Sequence, residues 1–389
     1  MLIRFVLMDA FSMGGTIRAT FSTAAALTDR HDVEIVSVYR RRAQGRIEAH
    51  PRVRLRVLSD ETAPPWAATG LRRWAERSMA RLPSVVMPVS ERRYRNFSAL
   101  TDLRLARYLR SLDGGVLVAT RPGLNVAMAR LVSPTVVRVA QEHVYLANHS
   151  SAMRRAIRRT YKRLDAVCAL TERDADDYRE MLGESTRVEC LPNAVPPTEF
   201  RTTGGRKVVV AAGRLVPTKG FDRLVPAFAA VVARHPDWLL RIYGTGGERQ
   251  LLEGLVHRHG LERSVQFMGY SDRLTEELAE GSLFVLSSRN EGFPMVLLEA
   301  MSVGLPVVSF DCRNGPADLI THGVDGLLVP QGDVPGLAMA MCSLIEDPSW
   351  RRTMGSAALA TAATFDLSHL SHRWDRLFTE LAEAAARPR

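Results

Sequence analysis

The chain has 389 residues, 46% hydrophobic and 24% charged, with a formal net charge of +10. That length exceeds one ordinary core and suits two domains of about 150–200 residues each. The composition is that of a globular protein rather than a disordered or fibrous one, and no run of ~18 uncharged apolar residues predicts a spanning helix.

The charge is uneven. Residues 1–200 hold 32 Lys and Arg against 21 Asp and Glu, whereas residues 201–389 hold 20 against 21. The excess falls in clusters such as Arg40, Arg41, Arg42 and Arg154, Arg155, Arg158, Arg159. A basic half points to an acidic partner, either an anionic membrane surface or a phosphate-bearing polymer. Nucleic acid is not expected, because no aromatic-rich basic motif accompanies the charge. The four cysteines form no C-x-x-C and have no histidine at metal spacing, so they read as reduced, buried thiols.

In chain order, LIRFVLM (2–8) reads as a first strand; the start MLIRFVLMDAFSMGG (1–15), with Asp9 inside it, is too short and too soon interrupted for a signal peptide. VEIVSVY (33–39), GVLVAT (115–120), TVVRVA (135–140) and DAVCAL (165–170) follow, with helical patterns between them. The Pro-, Gly- and Thr-rich LPNAVPPTEFRTTGGR (191–206) marks a linker. KVVVAA (207–212), WLLRIYG (238–244), VQFMG (265–269), LFVLSS (283–288), PVVSF (306–310) and GLLVP (326–330) come next. The tail, 365–389, reads as an amphipathic helix expected to pack back towards the N-terminal domain. Short apolar strands alternating with helices predict parallel sheets covered on both faces. The expected fold is α/β: two doubly wound Rossmann-like domains, 1–190 and 207–364, facing across a cleft, with ligands at the carboxyl ends of the strands.

Two acidic residues, Glu291 and Glu299, bracket an almost wholly apolar run in RNEGFPMVLLEAMSVGLPVVSF (289–310). Buried there, each needs a partner. RNEGF reads as a tight loop, Pro294 as the first helical residue, and PMVLLEAMSV as a buried helix ended by Gly304. Its N-terminus, with free N–H groups from GFPM, is a ready anion site. Were the whole segment helical, the glutamates would lie ~12 Å apart along the axis. That is too far to share one glycosidic bond. It suits two ends of one elongated ligand with an anionic middle, as in a nucleotide sugar. Pairing of both with local backbone or arginine is the alternative.

KVVVAAGRLVPTKGFDRLVPAF (207–228) places Arg214 and Lys219 in the loop after the second domain's first strand, where a diphosphate would sit. Lys219 is one of three lysines beside 49 arginines, which suggests a need for a compact ammonium. A dinucleotide fingerprint is missing: YGTGGERQ (243–250) offers Gly244, Gly246 and Gly247, but Arg249 stands where the third glycine belongs. The D-x-D at Asp174–Asp176 follows a cap candidate, Thr171, and fits the first turns of a helix better than a metal site.

Together these residues resemble the retaining GT-B glycosyltransferases, family 4 (glycosyl transferases group 1). E-x7-E at Glu291–Glu299, G-R-x4-K-G at Gly213–Gly220, G-x-G at Gly244–Gly246 and DGLLVP (325–330) match in order and spacing. SMGGTIRATFSTAAAL (12–27) is similar to the family's glycine-rich acceptor-side loop, which includes Gly14 and Arg18. The similarity covers nearly the whole chain. It implies that Arg214 and Lys219 neutralise a departing diphosphate, and that Glu291 binds hydroxyls of the transferred sugar beside Gly292, Phe293 and Pro294. Glu299 would hold the ribose, and Gly15 would let its loop approach the phosphates. His143, in AQEHVYLANHSS, matches the family's active-site histidine, with His149 a second candidate.

The segment SFDCRNGPADLI (309–320) is more similar to members using UDP-hexoses or UDP-N-acetylhexosamines than to GDP-mannose members. The resemblance further implies a nucleotide-sugar donor as substrate, no cofactor or metal, and a lipid-linked or cell-wall polymer acceptor. The reduced cysteines and the basic first half point to a cytoplasmic protein, peripheral on the inner face of the membrane. Stretches 66–82 and 151–163, which alternate apolar residues with Arg, are expected to act as interfacial helices. A nucleotide-sugar epimerase on the same architecture, a transferase for a small soluble acceptor and a catalytically silent sugar-nucleotide binder remain as alternatives.

Overall fold

The structure, a computed structural model, describes residues 1–386 apart from 13, 44, 46, 63–70, 313 and 314; the side chains of 71–74 also lie outside the description. The chain divides into two units, Met1–Ala194 with Leu367–Arg389, and Val195–Asp366.

Among the described residues of the first unit, seven strands form one sheet: β1 (Leu2–Leu7), β2 (Asp32–Arg40), β3 (Val53–Asp60), β4 (Val116–Ala119), β5 (Val137–Gln141), β6 (Ala166–Ala169) and β7 (Arg187–Cys190). Their order is β3-β2-β1-β4-β5-β6-β7, and every pairing is parallel. The apolar runs of the inner strands follow from this: each is covered on both faces by helices, so nearly every side chain is buried. β3 and β7 are the two strands that apolar runs did not predict. Both are edge strands. Val53–Asp60 exposes Arg54 and Arg56, and Arg187–Cys190 carries two charges in four residues. One face of an edge strand meets solvent, so its sequence loses the continuous apolar signature.

The tail helix Leu367–Ala386 belongs to this unit. Leu370, Trp374, Leu377, Phe378 and Leu381 lie on one stripe, and the last four pack with Ile3, Phe5, Leu27 and Val118. Fully burying a side chain the size of Phe378 stabilises by about 1.5–3 kcal/mol.

The second unit holds β8 (Val208–Ala212), β9 (Leu239–Tyr243), β10 (Val265–Gly269), β11 (Leu283–Leu286), β12 (Val307–Asp311) and β13 (Gly326–Pro330). The order is β10-β9-β8-β11-β12-β13, again all parallel. The direction of winding reverses between β8 and β11 here and between β1 and β4 in the first unit. Loops leaving the strands on either side of such a reversal diverge and open a crevice, which is where ligands bind in these sheets.

Candidate functional site

In the second unit, both loops flanking the reversal carry expected site residues. The loop after β8 runs from Gly213 to Gly220, and the loop after β11 from Ser287 to Pro294. They meet through one ion pair: Lys219 Nζ lies 2.6 Å from Glu291 Oε1. The Ser288 hydroxyl donates to the same carboxylate oxygen at 2.5 Å. Both charged side chains are largely buried, at 19% and 8% exposure. Removing either partner would therefore leave an uncompensated charge.

Glycine makes this approach possible. Gly220 has φ +65°, and a Cβ there would lie 2.1 Å from the Ser287 carbonyl oxygen. The Ser287 hydroxyl also donates to the Lys219 carbonyl at 3.0 Å. Arg289, which no sequence motif marks, completes the joint. It donates to the Pro217 carbonyl at 2.6 Å and to both Asp222 oxygens at 2.7 and 2.5 Å. The hydrogen bonds from Arg289 hold the Asp222 carboxyl below its usual range, against the opposing effect of burial. Arg289 adjoins the motif that contains Glu291, but in sequence it looks like a solvated loop charge.

The G-x-G after β9 has a packing role. A Cβ on Gly244 would lie 1.9 Å from the Gly213 carbonyl oxygen, and one on Gly246 would lie 2.2 Å from that of Leu215. Leu215 N–H donates to the Thr245 carbonyl at 2.9 Å, and Glu248 N–H returns to Leu215 at 3.1 Å. The β8 loop is thus fastened on both sides. Arg214, in the same loop, is exposed and forms no ion pair among the described residues. It remains available to an anion.

The helix beyond Glu291 spans Met295–Ser302, with Pro294 at its N-cap rather than inside its first turn. The proline's ψ of 83° lies outside the helical range, so helical geometry starts one residue later than expected. Glu299 is buried on this helix at 7% exposure, while Gly292 and Phe293 are half-buried in the loop. Gly304, at φ +82°, follows the helix end. Gly315 lets the loop after β12 close on this turn: a Cβ there would lie 2.9 Å from Pro294 Cδ and 3.4 Å from Glu291 Cβ. Burial, reinforced by the Glu291 charge, pushes the Cys312 thiol up to about 12. Cys312 is therefore an inert wall of the site. All four cysteines are free and buried.

In the first unit, Gly14 caps the helix Gly15–Leu27, which follows β1. Gly14, Gly15 and Arg18 are exposed on its first turn. Gly14 has extended backbone and nothing within 4 Å of a Cβ position, so its absent side chain relieves no internal clash. His143 stands two residues past the end of β5. Its Nε2 is buried with no hydrogen-bond partner. Burial, then the Arg121 charge, pulls its pKa down to about 3, so the ring is neutral near pH 7.

The D-x-D holds no shared site. Asp174 is buried and accepts from Leu146 N–H at 2.8 Å, whereas Asp176 pairs with Arg179 on the surface at 2.6 Å. A different trio, His235, Cys342 and Glu346, brings its donor atoms within 4.8 Å of one another. Its carboxylate already takes His235 Nε2 at 2.9 Å and Arg234 at 2.7 Å, and the guanidinium would oppose a cation there.

The helix Ser151–Thr160 corrects an expectation. Its apolar residues Met153 and Ile157 are buried in the first unit's core, so they are not free to enter a bilayer. Its Arg155, Arg158 and Arg159 are exposed, with Lys162 and Arg163 just beyond. Trp66 lies outside the described residues, as do the side chains of Arg72, Arg73 and Trp74. No helix among the described residues is long and apolar enough to cross a membrane.

The family model for glycosyl transferases group 1 matches residues 198–361. This segment is a group 1 glycosyl transferase domain. It contains Arg214, Lys219, Glu291 and Glu299. Over its whole length the chain is 37% identical to an exopolysaccharide phosphotransferase of Streptomyces coelicolor, of which it covers 42%. It is 27% identical, over 57% of its length, to a poly(glycerol-phosphate) alpha-glucosyltransferase of Bacillus subtilis, covering 33% of that protein. A poly(ribitol-phosphate) alpha-N-acetylglucosaminyltransferase of Staphylococcus aureus is 24% identical over 75% of the chain, with 60% of its own length covered. The chain thus spans less than two thirds of each of these relatives.

Among solved structures, the pneumococcal O-GlcNAc transferase GtfA in complex with UDP and GlcNAc superposes with a TM-score of 0.78 at 14% identity. The match covers 98% of this chain and 99% of that one. TarM of S. aureus gives 0.76 at 16% identity, over 97% and 99%. Around its group 1 glycosyl transferase domain, the chain as a whole has the GT-B fold.

Proposed function

We propose that the chain is a retaining, metal-independent hexosyltransferase that moves a sugar from a nucleotide donor to a hydroxyl of a polysaccharide or cell-wall polymer. The observation that carries this reading is the buried Lys219–Glu291 pair at the β8/β11 reversal, inside the segment matched as a group 1 domain. In this reading the donor's diphosphate lies at the fastened β8 loop, against Lys219 and Arg214 and near the N-terminus of Met295–Ser302. Glu291 faces the sugar hydroxyls with Gly292, Phe293 and Pro294, and Glu299 holds the ribose. The donor is a UDP-hexose or UDP-N-acetylhexosamine, a choice favoured by relatives named as glucosyl- and N-acetylglucosaminyltransferases and by neighbours solved with UDP.

Breaking the bond between sugar C1 and the phosphate oxygen builds negative charge on the diphosphate and positive charge on the sugar. Preorganised cations stabilise the first. The acceptor oxygen bonds to C1 on the face the phosphate leaves, and its proton passes to the departing phosphate oxygen. No side-chain nucleophile is needed, and the two cations take the place of a divalent ion. The neutral His143 ring can hydrogen-bond a sugar hydroxyl but cannot serve as a proton-loaded acid near pH 7. Gly14 and Arg18 face the acceptor in this reading, and Gly15 lets their loop approach the donor phosphates.

The acceptor is anionic, as in the relatives named for poly(glycerol-phosphate) and poly(ribitol-phosphate). The net +11 of residues 1–200 complements such a polymer or an anionic, lipid-linked precursor at a membrane surface. The S. coelicolor relative favours a second reading, phosphotransfer. Since 42% of that protein is matched, its named reaction can reside in the remainder. Incubation of the chain with UDP-glucose, UDP-N-acetylglucosamine and GDP-mannose, with EDTA and polymer acceptors, tests the proposal. UDP release with an α-linked product supports it. Phosphorylated polymer with no sugar transfer would sink it.

A further inference from the structure

Unpartnered buried polar atoms concentrate in one place. Arg121 Nε, Asn125 Oδ1, Gln141 Oε1, Glu142 Oε2, His143 Nε2 and His149 Nε2 all belong to the end of β5 or to the segments that follow β4 and β5. Glu142 is at the centre of this cluster and is 1% exposed. Its Oε1 accepts from Asn125 Nδ2 at 2.7 Å and from the Tyr161 hydroxyl. Its Oε2 receives no donor and lies 4.0 Å from His149 Nε2. The His149 ring hydrogen-bonds the Val144 backbone. Since Nε2 is unpartnered, Nδ1 makes that bond and Nε2 presents a lone pair towards Glu142.

We propose that Glu142 is a positioning residue for His143: a neutral carboxylic acid whose Oε1 is fixed by Asn125 and Tyr161 and whose Oε2–H is directed at His149 Nε2. An ionised carboxylate would leave one buried oxygen without a donor, a costly state. A protonated one turns that oxygen into a donor with an acceptor facing it, and a small side-chain rotation brings the 4.0 Å separation to hydrogen-bond length. The 142–149 segment is also anchored through its backbone. Glu142 N–H donates to the Cys168 carbonyl at 2.9 Å, and Leu146 N–H is held by Asp174 at 2.8 Å. These backbone anchors hold in either state of Glu142; the proton adds the side-chain tie from Glu142 to His149, and His143 lies within the span that this tie closes.

The surroundings favour the neutral form. Burial, then the charges of Asp174 and Glu91, push Glu142 up to about 8, against the lowering effect of the Tyr161 and Asn125 hydrogen bonds. Glu91 takes the opposite state. Although burial opposes ionisation, the Arg121 charge and its hydrogen bond at 2.7 Å, with Gly123 N–H at 3.0 Å, lower its pKa. His149, with a pKa pulled down to about 4 chiefly by burial, keeps its lone pair free. Tyr178, stacked on Tyr161 with ring centroids 6.3 Å apart, remains protonated as well.

The catalytic part of this inference rests on the transferase reading; the protonation part does not. Two measurements separate them. First, the wild type and Glu142→Gln, whose amide reproduces both the accepting and the donating oxygen positions, are unfolded by denaturant across pH 4–9. The unfolded glutamate ionises near 4.5 and the folded one near 8. The wild type should therefore lose stability relative to the variant by about tenfold in the folding equilibrium per pH unit between those values, and by no more outside them. A pH-independent ratio overturns the neutral acid. Second, at pH 7 Glu142→Gln should keep kcat within about threefold, whereas Glu142→Ala should lower kcat at least tenfold with the donor KM nearly unchanged. The alkaline fall in kcat near pH 8 should disappear in Glu142→Gln. A Glu142→Gln variant as impaired as Glu142→Ala, or an unimpaired Glu142→Ala, overturns the positioning role. If no variant and no wild type transfers sugar, the transferase reading has failed, and the unfolding data still decide the proton.

Discussion

Lys219 and Glu291 were singled out in the sequence as separate contacts on one ligand, 72 residues apart; the fold sets them 2.6 Å from each other. Lys219→Ala is expected to lower turnover about 10²–10³-fold, as loss of a preorganised donor to a developing charge does, with circular dichroism unchanged. Turnover within a few fold of the wild type would remove the diphosphate from this loop. The glycines divide by physical role. Gly220→Ala forces a side chain into the left-handed region and against the Ser287 carbonyl, and should destabilise by more than about 2 kcal/mol in thermal or denaturant melts. Gly14→Ala meets nothing and keeps extended backbone, so its stability should stay within about 0.5 kcal/mol. A fall in activity of Gly14→Ala at unchanged stability would then report on ligand approach. Equal destabilisation by the two changes would refute this division. Gly220 and Gly14 look alike in sequence, since the identity of the atom facing an absent Cβ is decided by a loop far along the chain.

At the scale of elements, inner strands were legible because burial on both faces writes a continuous apolar run. The edge strands Val53–Asp60 and Arg187–Cys190 were not, because their patterns carry solvent-facing arginines and glutamate. The helix Ser151–Thr160 has an alternation of arginine and apolar residues that fits an interfacial helix and a half-buried one equally well. Packing selects the second: Met153 and Ile157 are buried in the core, and Arg155, Arg158 and Arg159 stay on the surface. Replacing Arg155, Arg158 and Arg159 with Ala should leave the melting temperature nearly unchanged. It should weaken association with anionic vesicles or wall polymer by roughly 1 kcal/mol per residue removed at low salt. Co-sedimentation at two ionic strengths reads this; binding that survives both the triple change and high salt would point to another surface.

For the molecule as a whole, pH dependence follows from two histidines whose Nε2 atoms are buried. His143 and His149 have folded pKa values near 3 and 4, each depressed first by burial. Depression means that the unfolded chain binds these protons first. Their neutral burial costs nothing above about pH 6.5, and stability falls as pH drops below it, by up to about 1.4 kcal/mol per pH unit for each ring, levelling off near pH 3–4. His143→Asn and His149→Asn should each flatten that acid limb in unfolding titrations; an unchanged slope would show the rings to be accessible to protons in the folded state. The sequence by itself determined the alternation of strand and helix, the parallel sheets and the spacing of the motif residues. Each of these is written in local periodicity and spacing, which short-range sterics and burial enforce. Only the tertiary structure decided that Arg289 clamps the β8 loop, that the G-x-G glycines face backbone, and that Glu142 is buried between Asn125, Tyr161 and His149. Those outcomes depend on which distant atoms the crossovers bring to one end of a sheet, and a chain read residue by residue contains no signal for contacts of that range.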